Sequence, residues 1–140
     1  MTRINIGIKP QQLTDQHLIA EAREIKRITS LYLKTKNFND IPDSFRLGTG
    51  HVRFFLDKGK YTYNRYLELT KEMDKRGINY TDFSSNWSVY KKEHWSDYSP
   101  SDAEIQKVVE RIQDRLDTFK KPPRYLGATI SKKVAKMLLQ

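Results

Sequence analysis

Residues 14–36 read TDQHLIAEAREIKRITSLYLKTK, and the spacing of their apolar positions decides the fold class. At roughly 100° per residue, Leu18, Ala22, Ile25, Thr29 and Tyr32 fall within a sector of roughly 80°, the core-facing stripe of an amphipathic helix. Gln16, Arg23, Arg27 and Lys34 gather on the opposite side, and His17 and Glu24 share the flank between the two faces. Thr14 or Asp15 is placed to cap the helix, which is expected to run to about Lys36. One face is therefore buried, one is cationic, and a carboxylate and an imidazole stand at the boundary.

Working outward, residues 3–9 (RINIGIK) alternate apolar and polar, with Ile4, Ile6 and Ile8 on one side. The stretch is too short for more than an extended arm that tacks the N-terminus onto the helices, and Pro10 ends it. A second helix is expected from about Lys60 to Arg76, with Tyr63, Tyr66, Thr70 and Met73 on one face and Gly77 as its stop. The third has the strongest pattern. Ser101 and Glu104 form a capping box ahead of Ile105, Val108, Val109, Ile112, Leu116 and Phe119 at helical spacing, and Lys120 to Pro123 end it. A short helix from Ser131 closes the chain, its Lys132, Lys133 and Lys136 extending the basic surface.

The segments between are of two kinds. Residues 37–50 are rich in Asn, Asp, Ser, Gly and Pro and read as loop, with Gly48 and Gly50 in a tight turn; HVRFFLDKGK after them is compatible with either extended or irregular helical structure. Residues 78–100 hold Tyr80, Trp87, Tyr90, Trp95 and Tyr98, too aromatic to be left in solvent, so this loop is expected to pack over the helices. No repeat or long linker divides the chain. The expectation is an all-α (mostly α) fold: one compact domain over residues 1–140, with three main helices, long loops and an extended N-terminal arm.

Composition narrows the function. With 26 Lys+Arg against 17 Asp+Glu the formal charge is +9, which points to a polyanionic partner, most often nucleic acid. There is no cysteine, so disulfides, thiolate metal sites and cysteine nucleophiles are excluded together. No apolar run reaches the length of a signal peptide or the ~20 residues of a membrane span, so a soluble, cytoplasmic protein with no membrane partner is expected. His17, His51 and His94 lie far apart without metal-ligand spacing, and neither a phosphate-binding loop nor a serine elbow is present. No metal and no cofactor is expected.

One chemical group remains. Thr2 is small enough to permit removal of Met1, and the freed α-amine has a reference pKa near ~8, more than two units below that of lysine. At neutral pH such an amine is often unprotonated and can attack an electrophilic carbon, and neighbouring arginines lower its pKa further. A carboxylate held nearby could then move protons. Read singly, the arginine stripe is as well explained by a solvated helix face, Glu24 by an ion pair within the helix, and His17 by a boundary position.

The blocks MTRIN, DQHLIAEAREIKR and LGTGHVRFFLDK, the KRG helix end and, more loosely, DYSP and RLD together resemble the phage-type pyrimidine-dimer DNA glycosylase/AP lyase family, historically called phage endonuclease V. The resemblance implies a DNA repair enzyme acting as a monomer on lesion-containing double-stranded DNA, phage-encoded and working in the infected bacterial cell. It implies that the Thr2 amine attacks C1′ of the damaged nucleotide through a Schiff base, and that β-elimination then nicks the strand. Glu24 would be the catalytic acid, Arg3, Arg23 and Arg27 would grip phosphates, Gln16 and His17 would stand beside them, and Arg115 would bind DNA from the third helix. Lys120 and Arg124 extend the expected DNA-binding set. The family kinks DNA and extrudes a base opposite the lesion. Ala22 stands where the best-known member has tyrosine, Lys26 where it has proline, and Phe119 where it has a basic residue. Two alternatives therefore accompany the expectation: the same chemistry on another modified or damaged pyrimidine, and a DNA-binding protein without catalysis.

Overall fold

In the computed structural model, which describes residues 3–140, the stripe of Leu18, Ala22, Ile25, Thr29 and Tyr32 is buried along its whole length. The helix that carries it is broken, however. Helices α1 (Asp15–Ile25) and α2 (Arg27–Lys34) meet at Lys26 instead of forming one rod to Lys36. Thr29 explains the break locally: its amide and its hydroxyl both donate to the Lys26 carbonyl, at 3.1 and 2.6 Å, drawing the chain into a tighter i to i+3 turn. The Lys26 ammonium lies 3.6 Å from the centre of the Phe83 ring and so holds the joint against the aromatic loop. The break falls at the position where the family resemblance places a proline.

After these come α3 (His51–Phe54), α4 (Gly59–Arg76), α5 (Asp102–Asp117) and α6 (Lys132–Met137). The fold is mostly helical, as expected, with three longer helices (α1, α4 and α5) and three shorter ones (α2, α3 and α6). α1 packs along α4, and α6 against α5. Local signals end and begin these helices where the sequence placed them. Gly77 takes the left-handed conformation at φ 70° and closes α4, while Ile78 N–H bonds the Met73 carbonyl at 2.9 Å. At α5 the Ser101 hydroxyl accepts from Glu104 N–H and Glu104 Oε1 accepts from Ser101 N–H at 2.9 Å, completing the capping box. At α6 the Ser131 hydroxyl accepts from Val134 N–H at 3.1 Å, a one-way cap.

The aromatic loop is packed down by its own hydrogen bonds. Tyr66 Oη donates to the Thr81 carbonyl and accepts from Phe83 N–H at 2.9 Å, Trp87 Nε1 donates to Thr62 Oγ1 at 2.9 Å, and Tyr32 Oη accepts from Lys91 N–H at 3.1 Å. Tyr90 stacks on Tyr32 with ring centres 4.0 Å apart. One feature went unread: the antiparallel hairpin of β1 (Arg124–Tyr125) and β2 (Ala128–Thr129). Its turn holds Leu126 and Gly127 at φ 54° and 80°, and the leucine there contradicts the usual Asn-Gly signature. Asp15 compensates, because its carboxylate accepts from Leu126 N–H at 3.2 Å and Gly127 N–H at 2.9 Å. Among the described residues no helix is long and apolar enough to cross a membrane.

The N-terminal arm is more than a tack. Ile4, Ile6 and Ile8 are fully buried in the main core, a gain of about 1.5–3 kcal/mol each. Asn5, expected on the outer side, is buried as well. The arm turns at Gly7, whose φ of 70° suits glycine and whose missing Cβ leaves room for Ile105; a Cβ there would stand 2.3 Å from Ile105 Cγ1. The direction of the chain at residues 3–5, next to the expected nucleophile, is thus set by core packing.

Candidate active site

A buried pair of one carboxylate and one arginine holds the arm. Glu21, on α1, is buried and takes Arg65 of α4 in a two-point contact, Nε to Oε2 at 2.7 Å and Nη2 to Oε1 at 3.0 Å. The free valences of the pair go to the arm: Asn5 Nδ2 donates to Glu21 Oε1 at 2.9 Å, and Arg65 Nη1 donates to the Ile8 carbonyl at 2.5 Å. Burial opposes the Arg65 charge, yet the Glu21 carboxylate outweighs it and leaves the Arg65 pKa raised.

His51 holds the same arm from the other side. Its Nε2 accepts from Ile4 N–H at 2.9 Å while its Nδ1 bonds the Arg46 carbonyl at 2.8 Å. A carbonyl only accepts, so Nδ1 carries the proton and the ring is neutral. Burial, with Arg111 and Arg3 nearby, lowers its pKa from 6.5 to about 4, against the opposing pull of the Arg46 carbonyl and Glu21. His17 is lowered to about 4 by burial and by Arg115, Arg3 and Arg111, with Glu21 opposing.

Both folded-state values lie below the unfolded value, so the unfolded chain binds more protons between pH 6.5 and 4 and stability rises with pH across that window. The contribution, about 3 kcal/mol for each histidine, is complete above pH 6.5 and lost as pH falls to 4. Urea midpoints measured from pH 7 to pH 4 are expected to fall accordingly. His51→Gln should flatten that slope; a variant with the wild-type slope would show that His51 does not titrate with folding.

Above this framework lies a cleft of about 220 Å³ between α1, α5 and the arm. Arg3, Gln16, His17, Glu24 and Arg115, five of the expected residues, line it together. Glu24 is half-buried and makes no ion pair with any described residue, so the ordinary reading as a partner of Arg27 does not hold. Phe119 covers one side by packing on His17, ring centres 5.2 Å apart. Gln16 spends its amide within the protein: Nε2 donates to the Pro122 carbonyl at 3.1 Å and Oε1 accepts from Arg124 N–H at 2.9 Å. It thereby fastens the segment bearing Lys120 and Arg124, both exposed, beside the cleft.

Arg23 and Arg27 stand elsewhere, with Lys26 and Ala22 on a separate groove of about 730 Å³ floored by Ile19, Tyr66, Met73, Ile78 and Phe83. Another groove, of about 600 Å³, carries Lys9, Lys71, Lys75, Glu68 and Glu72 and none of the expected site residues. The nucleophile expected at Thr2 lies outside the described residues. Asn5, Glu21 and Arg111 line the 220 Å³ cleft without having been singled out by sequence. For Glu21 a signal existed, since it lies three residues before Glu24 on the same helix; nothing local marked Arg111. Among the described residues no group of three or more His, Cys, Asp or Glu is clustered so as to hold a metal ion.

Comparison with known families adds one finding. A family model described as pyrimidine dimer DNA glycosylase matches residues 1–86, which include the arm, α1 to α4 and the residues Arg3, Gln16, His17 and Glu24 of the cleft.

Proposed function

The chain belongs to the pyrimidine dimer DNA glycosylase family, and on that basis we propose that it cleaves the N-glycosidic bond of one pyrimidine of a cyclobutane dimer in duplex DNA and then nicks the strand, using the α-amine of Thr2. The observation that carries this reading is Glu24: a half-buried carboxylate, unpaired among the described residues, in a cleft lined by Arg3 of the arm and Arg115 of α5. A carboxylate left without a cation partner amid arginines is placed to work on a substrate.

In the proposed reaction Met1 has been removed. The Thr2 nitrogen attacks C1′ as the glycosidic bond breaks; the base departs from C1′ with the bonding electrons, takes up a proton and stays tethered to its neighbour by the cyclobutane ring. The nitrogen gives up one proton, its lone pair expels O4′ with the C1′–O4′ electrons, O4′ takes up a proton, and the sugar ring opens to an iminium in which N and C1′ are doubly bonded. Glu24 takes a proton from C2′, and the electrons of that C–H bond form a C2′–C3′ double bond as the 3′ phosphate departs. Arg3, Arg115, Lys120 and Arg124 hold backbone phosphates, while Arg23 and Arg27 engage DNA from the separate groove. His17, kept neutral, adds no charge to repel the developing cation at C1′.

Borohydride present during turnover should reduce the iminium and leave protein bound to DNA on both dimer-containing and abasic duplexes, with peptide mass spectrometry placing the link on Thr2. Protein shown to lack Met1 that gives no adduct on abasic DNA would exclude the mechanism. A second reading, the same chemistry on a different modified pyrimidine, is favoured by Ala22, which is buried and lines the wide groove beside Arg23 where the resemblance places a tyrosine. Competition between ultraviolet-irradiated and modified-base duplexes separates the two; a strong dimer preference supports the first.

A further inference from the structure

Arg111 lies on α5 beyond the residues matched by the family, one turn before Arg115 and on the same face of the helix. Among the described residues only one of its guanidinium nitrogens is engaged: Nη2 donates to Asn5 Oδ1 at 3.2 Å and, less closely, to the Ile4 carbonyl at 3.5 Å. No carboxylate among the described residues pairs with it. Of the two carboxylates in the cleft, Glu21 is already neutralised by Arg65, leaving Glu24 alone against Arg3, Arg111 and Arg115. The Arg111 pKa is pushed down to about 10 by burial and by Arg3, with Arg115 adding to the effect and Glu21 and Glu24 opposing it. A partly buried cation facing two others is costly in the free protein, and a bound anion relieves that cost.

We infer that Arg111 is a substrate-binding residue which, with Arg3 and Arg115, seats one phosphodiester of the lesion-bearing strand in the cleft. Asn5 and the Ile4 carbonyl orient the guanidinium from one edge, and its remaining N–H groups are left for the phosphate oxygens. The inference rests on the reading of this cleft as a DNA site.

The test is the salt dependence of binding to a duplex containing an uncleavable abasic-site analogue. The slope of log K against log [salt] should become shallower by about 0.9 in Arg111→Gln, as expected for one lost phosphate contact, with the largest loss of affinity at low salt. Arg111→Lys should retain the wild-type slope, because the charge is kept, while binding more weakly for want of the planar fork. If Arg111→Gln retains the full slope while the wild type binds, Arg111 is structural and the inference falls alone. If the wild type shows no salt-dependent binding, the DNA reading falls and the inference with it.

Discussion

Glu24→Gln is expected to lower strand cleavage on abasic duplex by about 10²- to 10⁴-fold, the range for loss of one positioned acid–base group, while binding of the same DNA is retained. The expectation follows from where the carboxylate sits. Glu24 is half-buried on the flank of α1, unpaired among the described residues, and no part of the clamp that Glu21 forms with Arg65. The amide of glutamine is close in shape and keeps the helix intact, but it cannot accept a proton from C2′ at neutral pH. Single-turnover cleavage, run beside equilibrium binding, separates the two effects. Unchanged cleavage would remove Glu24 from the mechanism; equal loss of binding and cleavage would make it a binding residue.

The largest effect on stability is expected at the neighbouring carboxylate. Glu21→Ala should cost about 3–5 kcal/mol, the range for breaking a buried ion pair from one side, and lower the melting temperature by on the order of 10 °C. The side chains of Arg65 and Glu21 are 4% and 1% exposed, so deleting the carboxylate strands a cation that water cannot reach. The loss also propagates. Asn5 loses its acceptor, and the arm that carries Arg3 loses that anchor, keeping the contacts of His51 to Ile4 and of Arg65 to Ile8. Cleavage should therefore fall even where the variant is folded. Removing both charges in Glu21→Leu/Arg65→Met should recover much of the stability, since no ion is then left unpaired, without restoring activity, because the Asn5 and Ile8 contacts remain absent. A single variant that loses less than about 1 kcal/mol would show the pair to be solvated in the working protein.

These two adjacent glutamates show how unevenly the site could be read from sequence. Helical spacing placed Glu24 with His17 on one flank of the first helix, and the cleft does bring them together with Arg3, Gln16 and Arg115. The same spacing placed Gln16, Arg23 and Arg27 together on the far side; the two arginines lie on a separate groove, whereas Gln16 lines the cleft beside His17 and Glu24. It said nothing of what Glu21 meets, because its partner Arg65 is 44 residues away on another helix.

Features whose causes lie within a turn or two of chain were readable from residue order alone. The buried stripe of the first helix, the Gly77 stop, the Ser101–Glu104 box and the Ser131 cap depend on periodicity and on backbone groups satisfied by near neighbours, and all are where they were expected. The family was legible too, from blocks whose order and spacing are distinctive. Only the tertiary structure decided the break at Lys26, held by a ring from the aromatic loop, and the Leu126–Gly127 turn, held by the Asp15 carboxylate from α1. It alone fixed the arm, through Glu21, Arg65 and a neutral His51, and set Arg111 beside Arg3 and Arg115. The physical reason is common to all of these. A buried polar or charged group must find its partner wherever packing supplies one, and that distance in sequence leaves no local trace.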